Sequence, residues 1–306
     1  MSNRPSAPNP FRPVRSLLFA CLPFFVPAGW AADYSWTSAI DGDWGDPAGW
    51  GPVAGVPNGA GDTAAILVAG SGSYFVTLDG DYAIDAFTHG SPDAVLLATG
   101  RTFTVNGPTS FSGRQISFGG STYVSNGTFT HSSGILDLST SNLTGTGDYV
   151  KTGGTTKLAN SGLLVPATQE GGAITLSAAC VFGGGFTNAG GSLGLDPGVT
   201  LALANGDLRN GGTLELAGGA AVTKIESATG SRLVNLGTGT CTIRAGGTAA
   251  RTIAAGVENH GAFVLERAAT WNAVAGAHSN TGKITATGQL LVQDARSFAN
   301  SGEVLS

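Results

Sequence analysis

From residue 180 onward one short phrase keeps returning: FTNAGGSLGL, LRNGGTLEL, LVNLGTGTCTI, VENHGAFVL, HSNTGKITA and FANSGEVLS. Its asparagines are Asn188, Asn210, Asn235, Asn259, Asn280 and Asn300, separated by 22, 25, 24, 21 and 20 residues. Weaker copies stand around Asn126 (VSNGTFT) and Asn160 (LANSGLLV). A period of this length is one supersecondary unit too small to bury its own apolar face, so the units must stack into a solenoid.

The residues after each Asn-x-Gly decide which solenoid. Leu193 and Leu195, Leu214 and Leu216, and Phe263 and Leu265 alternate with small or polar residues, which is strand spacing. No stretch after the N-terminal segment sustains a 3.6-residue apolar period, and 49 glycines are too many for helices. Leucine-rich repeats share the period but need a longer fixed leucine pattern. The expected fold is all-β, a right-handed parallel β-helix with two or three short strands per coil. About eleven coils would stack from residue 60 onward into a rod about 50 Å long. Asn and Gly tolerate the left-handed backbone of sharp corners, and stacked asparagines can hydrogen-bond in a ladder along the axis. The alternative is an antiparallel barrel whose Asn-Gly pairs are hairpin turns, but such turns recur at half this interval.

The first 32 residues stand apart. Arg4, Arg12 and Arg15 precede the apolar run SLLFACLPFFVP, and AGWAAD offers small residues for cleavage near Ala31 or Ala32, the pattern of a secretory signal peptide. A membrane anchor is the other reading, disfavoured by the short run and by Pro23 and Pro27. Phe19 in LFAC disfavours a lipid-modified Cys21. Without this segment the chain keeps 12 Lys and Arg against 20 Asp and Glu, a net −8 that argues against nucleic acid and anionic membrane surfaces as partners. Residues 33–60 are expected to cap the first coil and 61–306 to form the repeats. Cys180 and Cys241, 61 residues and more than two coils apart, are expected to remain free thiols buried as small apolar side chains.

Two stretches resemble a known family. YSWTSAIDGDWGDPAGWGPVAGVPNGAGDTAAILVAGSGSYFVTLDG resembles the start of secreted bacterial β-helix proteins of the autotransporter-passenger type, with Trp36, Gly42, Trp44, Trp50, Pro57, Asp62, Tyr74, Val76 and Leu78 at the positions that define that opening. LTGTGDYVKTGGTTKLANSG, residues 143–162, is similar to the autotransporter-associated β-strand repeat. The resemblance spans most of residues 33–306 and implies architecture and a cell-surface or extracellular location more than any activity. It departs from the family where a membrane β-barrel would follow. The sequence stops at FANSGEVLS, which reads as the start of another coil, so a truncated repeat array with end-to-end association at an uncapped C-terminus is expected.

Candidate sites are few. DGDWGDPAGW, residues 41–50, combines Asp41, Asp43 and Asp46 with Trp44 and Trp50. With Trp36, the tryptophans suit a cap over the apolar interior, and the aspartates suit Asx-turns. The aspartates are also weak calcium candidates, although the complete loop pattern and its closing Glu are missing. Exposed Trp faces could instead hold sugar. Nine of the fourteen Asp lie before residue 100, and Asp137, Asp148, Glu215, Glu226, Glu258, Arg232, Arg244 and Arg251 are scattered over the repeats. His89, His131, His260 and His278 lack metal-ligand spacing, and His260 in NHG reads as a solvent-facing corner. Gly190-Gly191-Ser192-Leu193-Gly194 matches a nucleophile elbow formally but lacks its strand-turn-helix setting. The expectation is a non-catalytic secreted or surface protein, structural or adhesin-like, without a cofactor and with a surface glycan or another cell-surface protein as partner. Its rivals are a carbohydrate-active β-helix enzyme and a calcium-dependent glycan-binding module.

Overall fold

The computed structural model describes residues 31–52, 54–273, 276–293 and 297–306. The expected signal peptide over residues 1–32, with Cys21, lies outside them apart from Ala31 and Ala32. Short strands recur in a fixed order of three, so each coil contributes one strand to each of three parallel sheets of 14, 13 and 11 strands. One coil runs Ala86–His89 in sheet 1, Ala94–Thr99 in sheet 2 and Thr102–Val105 in sheet 3. About twelve such coils stack into a parallel β-helix. Along sheet 2 the register advances 34 residues at its first step, from Gly42 to Val76, and after that between 18, from Thr155 to Ala173, and 27, from Thr213 to Thr240.

Alternation decides what fills the interior. In Thr213–Leu216 and Ala262–Leu265 the leucines and Phe263 are buried while Glu215 and Val264 are turned outward. Register then stacks like on like: Leu193, Leu214, Cys241, Phe263 and Ile284 form one inward column. Cys241 thus stands in a leucine position and Cys180 in a strand of sheet 3; both are buried free thiols, as expected. In the first coils the core is aromatic, with ring centroids 5.1–5.5 Å apart from Trp44 through Phe103, Tyr123 and Phe129 to Tyr149.

At the N-terminal end the three sheets are finished differently. Asp33–Trp36 and Gly42–Asp43 are already rungs of sheets 1 and 2, and Trp50–Gly51 pairs antiparallel outside the first of them, with Trp36 opposite Trp50. On sheet 3 the Asn58 side chain accepts the amide of Ala83. Trp36, Trp44 and Trp50 are buried; Trp44 Nε1 donates to the Pro57 carbonyl at 3.0 Å and Trp50 Nε1 to the Trp44 carbonyl at 2.7 Å. An unpaired strand edge is an aggregation template, and Trp50–Gly51 covers that of Asp33–Trp36 in sheet 1. At the other end Phe298–Asn300 and Glu303–Leu305 are exposed throughout.

Candidate functional site

The densest polar chemistry lies inside the rod. Register places Ile66, His89, Phe111, His131, Lys151, Gln169, Asn188, Asn210, Asn235, Asn259, Asn280 and Asn300 in one column at the sheet 1 to sheet 2 corner. From His89 to Asn280 these side chains are fully buried. The asparagines form the axial ladder: Nδ2 donates to the next Oδ1 at 2.8, 2.9, 2.8, 2.6 and 2.7 Å from Asn188 to Asn300. Each Nδ2 from Asn188 to Asn259 also reaches a carbonyl of the following coil, at Thr213, Thr240, Ala262 and Lys283.

The left-handed corner role expected for these residues is therefore corrected. They end sheet 1 strands with ordinary negative φ and point inward; their amides would otherwise be buried unpaired, and the ladder satisfies them. The glycine that follows allows close stacking at some rungs, since a Cβ on Gly282 would meet the Gly261 carbonyl, but not at all, since one on Gly237 would have nothing within 4 Å. Asn160 does take a corner, with φ near 50°, and Asn126 bonds Asn106 at the surface, so neither belongs to the ladder.

Before Asn188 the column changes chemistry. Gln169 Nε2 donates to the carbonyls of Gly172 and Ser192. Lys151 Nζ donates to those of Gly153 and Gly154, and burial pulls its pKa down to about 8. His131 Nδ1 lies 2.9 Å from the Tyr149 hydroxyl, which lies 2.6 Å from Thr156 Oγ1, while Phe111 stacks on the imidazole at 4.8 Å. Burial, then the charge of Lys151, lowers the His131 pKa to about 4. Among the described residues neither ring nitrogen of His89 makes a well-formed hydrogen bond; burial lowers its pKa to about 4, outweighing the nearby backbone of His89 and Gln115, which favours the proton. Glycines make room: a Cβ on Gly154 would stand 2.6 Å from His131 Nε2, and one on Gly172 the same distance from Lys151 Nζ.

The aspartates of the opening stretch do not converge. Asp41 Oδ1 accepts the amide of Phe75, Asp46 Oδ1 accepts that of Ala48 and starts a short 3-10 turn, and Asp43 is exposed. Among the described residues no group of three or more His, Cys, Asp or Glu side chains is placed to hold a metal ion. Surface charges in the later coils are shared across coils instead. Arg232 bridges Asp207 and Glu258 at 2.9 and 2.7 Å, and Arg244 bridges Glu215 and Glu266 at 2.9 and 3.0 Å. Arg251, one of the charges scattered over the repeats, is buried: its guanidinium holds the carbonyls of the 244–249 loop.

One surface chain has the spacing of an activated nucleophile. Thr281 Oγ1 lies 2.6 Å from His260 Nδ1, and His260 Nε2 lies 2.8 Å from Glu258 Oε1. The amides of Thr281 and Gly282, which would have to stabilise an oxyanion, both donate to the Asn259 carbonyl. His260 is exposed, as expected, but tethered on both sides. Ser192 of the elbow-like run lies in a strand of sheet 2, without a helix after it. A shallow hollow of about 610 Å³ lies over sheet 3, lined by Ala202, Leu203, Lys224, Glu226 and Ala254. No family model matches the chain. Neither a curated protein nor a solved structure matches it.

Proposed function

We propose that this chain is a non-catalytic extracellular or cell-surface β-helical protein, structural or adhesin-like, that acts as a rigid spacer carrying an outer binding surface. The observation that carries the reading is the continuous amide ladder from Asn188 to Asn300, in which buried polar groups bind one another coil after coil. Such an interior serves axial continuity and cooperative stacking. The arginine bridges serve the same end on the outside, holding carboxylates apart that a glycosidase or lyase would need free and facing one substrate. The N-terminal segment with the features of a secretory signal supports export, and the likeness to autotransporter passengers supports display at a bacterial surface. The partner is a surface glycan or another cell-surface protein.

The test has two parts. Expressed with residues 1–32 in a bacterial host, the chain should be found outside the cytoplasm with that segment removed. The purified rod, incubated with acidic and neutral polysaccharides, should release neither reducing ends nor unsaturated sugar products while binding one of a panel of surface glycans or proteins. Retention of an intact chain in the cytoplasm would overturn the location, and product release with turnover would overturn the non-catalytic reading.

A further inference from the structure

The inward column has two unlike halves. Beyond Asn188 its members are neutral amides with axial partners. Before Asn188 it holds three bases, His89, His131 and Lys151, and the only buried carboxylate among the described residues is Asp62, near the N-terminal end. His131 and Lys151 are register partners in adjacent coils, about 4.8 Å apart along the axis.

The groups facing His131 come from four directions. Phe111 covers one face of the ring, Tyr149 and Lys151 stand on the next coil, Thr156 reaches in from sheet 2, and the Gly134 carbonyl lies 3.3 Å from Nε2. Of these only Lys151 carries charge and only Tyr149 and Lys151 titrate. Asp137 and Lys157 on the neighbouring sheet 2 strands alternate with buried leucines and face outward. His89 lies between the rings of Phe87 and Phe111; among the described residues neither nitrogen makes a well-formed hydrogen bond, and the polar groups acting on it are neutral backbone of His89 and Gln115. A proton on either imidazole therefore creates a buried cation with no counter-charge, and at His131 one beside an existing cation.

We propose that the coils from His89 to Gln169 form an acid-operated joint, which opens when His89 and His131 take up protons while the amide-ladder coils from Asn188 to Asn259 stay closed. A solenoid is held by nearest-neighbour contacts, so a block of coils can open without its neighbours. The direction follows from linkage. Each imidazole binds protons less well folded, near 4, than unfolded, at 6.5, so its share of stability is intact above 6.5 and lost as pH falls toward 4. Between pH 7 and pH 5 each histidine raises the opening equilibrium about 20-fold. Lys151, with its pKa near 8, is already protonated across this window and adds no slope. His278 accepts the Val257 amide through Nδ1, and burial lowers its pKa too; acid loss there is separated from the joint by ladder coils.

Hydrogen exchange read by mass spectrometry at pH 7 and pH 5, corrected for intrinsic rates, tests this on the protein without its N-terminal signal segment. Peptides from Ala86–His89 to Ala167–Gln169 should lose protection about 20-fold for each titrating histidine, while peptides across Leu208–Asn210, Arg232–Asn235 and Gly256–Asn259 keep theirs. His89→Leu removes a ring whose nitrogens make no well-formed hydrogen bond, and His131→Gln installs the side chain that already works at Gln169. The double variant should hold its pH 7 pattern at pH 5. Ladder coils opening first, uniform loss along the rod, or an unchanged acid response in the double variant would each overturn the proposal. The wild-type pattern alone decides the first two, even if a variant folds poorly.

Discussion

Replacing Asn235 by alanine removes the middle rung of the amide ladder. Its Nδ2 donates to Asn259 Oδ1 at 2.8 Å and to the Ala262 carbonyl at 2.9 Å, and its Oδ1 accepts Asn210 Nδ2 at 2.9 Å. The substitution orphans one proton of Asn210 and the acceptor of Asn259, both fully buried, and strips a second bond from the Ala262 carbonyl. Each buried unsatisfied group costs about 1–3 kcal/mol, so the loss should be about 3–5 kcal/mol with the small cavity included. Asn300 gives the control. It is exposed and accepts only from Asn280, so water can replace its side chain and Asn300→Ala should cost under about 1 kcal/mol. A stacked array does not unfold as one two-state unit, so the assay is hydrogen exchange across Leu208–Asn210, Arg232–Asn235 and Gly256–Asn259, supported by denaturant midpoints. A cost at Asn235 no larger than at Asn300 would refute the reasoning, because it would mean that the buried rungs are not needed by their neighbours.

Trp44→Ala should destabilise the first coils by about 3–5 kcal/mol and expose the aromatic run to dye binding, because Trp44 packs against Trp50, Phe87 and Phe103 and is fully buried; unchanged thermal melting would sink the cap role. Gly282→Ala should lower the melting temperature well beyond Gly194→Ala, since a Cβ at Gly282 meets the Gly261 carbonyl whereas one at Gly194 has nothing within 4 Å. Equal effects would show that coil spacing does not depend on the Asn-x-Gly glycines.

Much of this architecture is legible in the sequence, because a coil repeats the same physical problem every twenty-odd residues. The period-2 leucines give the inward columns, and the recurring Asn gives the axial ladder. The rest of the column hides because geometry, not residue type, is what repeats there. HSSG, KTGG and QEGG present His131, Lys151 and Gln169 as NAGG presents Asn188, each with a glycine three positions later, yet no letter recurs to mark them. Identical letters also do different work. NSG at Asn160 is a left-handed corner after a sheet 2 strand, whereas NSG at Asn300 ends a sheet 1 strand and accepts a ladder bond. Local sequence does not say which side of the backbone an asparagine amide will serve; stacking does. Likewise the spacing of Asp41, Asp43 and Asp46 leaves open a cation or a backbone amide, and the fold gives the carboxylates of Asp41 and Asp46 to amides.

In a single rod every coil adds the same axial step, and spin-label distances measure that directly. Thr88, Ser110, Thr130, Val150, Thr168 and Thr187 form one outward column of sheet 1, continued in register through Arg209, the covered Val234 and Glu258 to Ser279. With Thr88 and Thr187 replaced by labelled cysteines the separation should be about 24 Å, and with Thr88 and Ser279 about 43 Å, each as a narrow distribution. Distances that do not grow with the number of coils, or a long separation that collapses below about 30 Å, would contradict it.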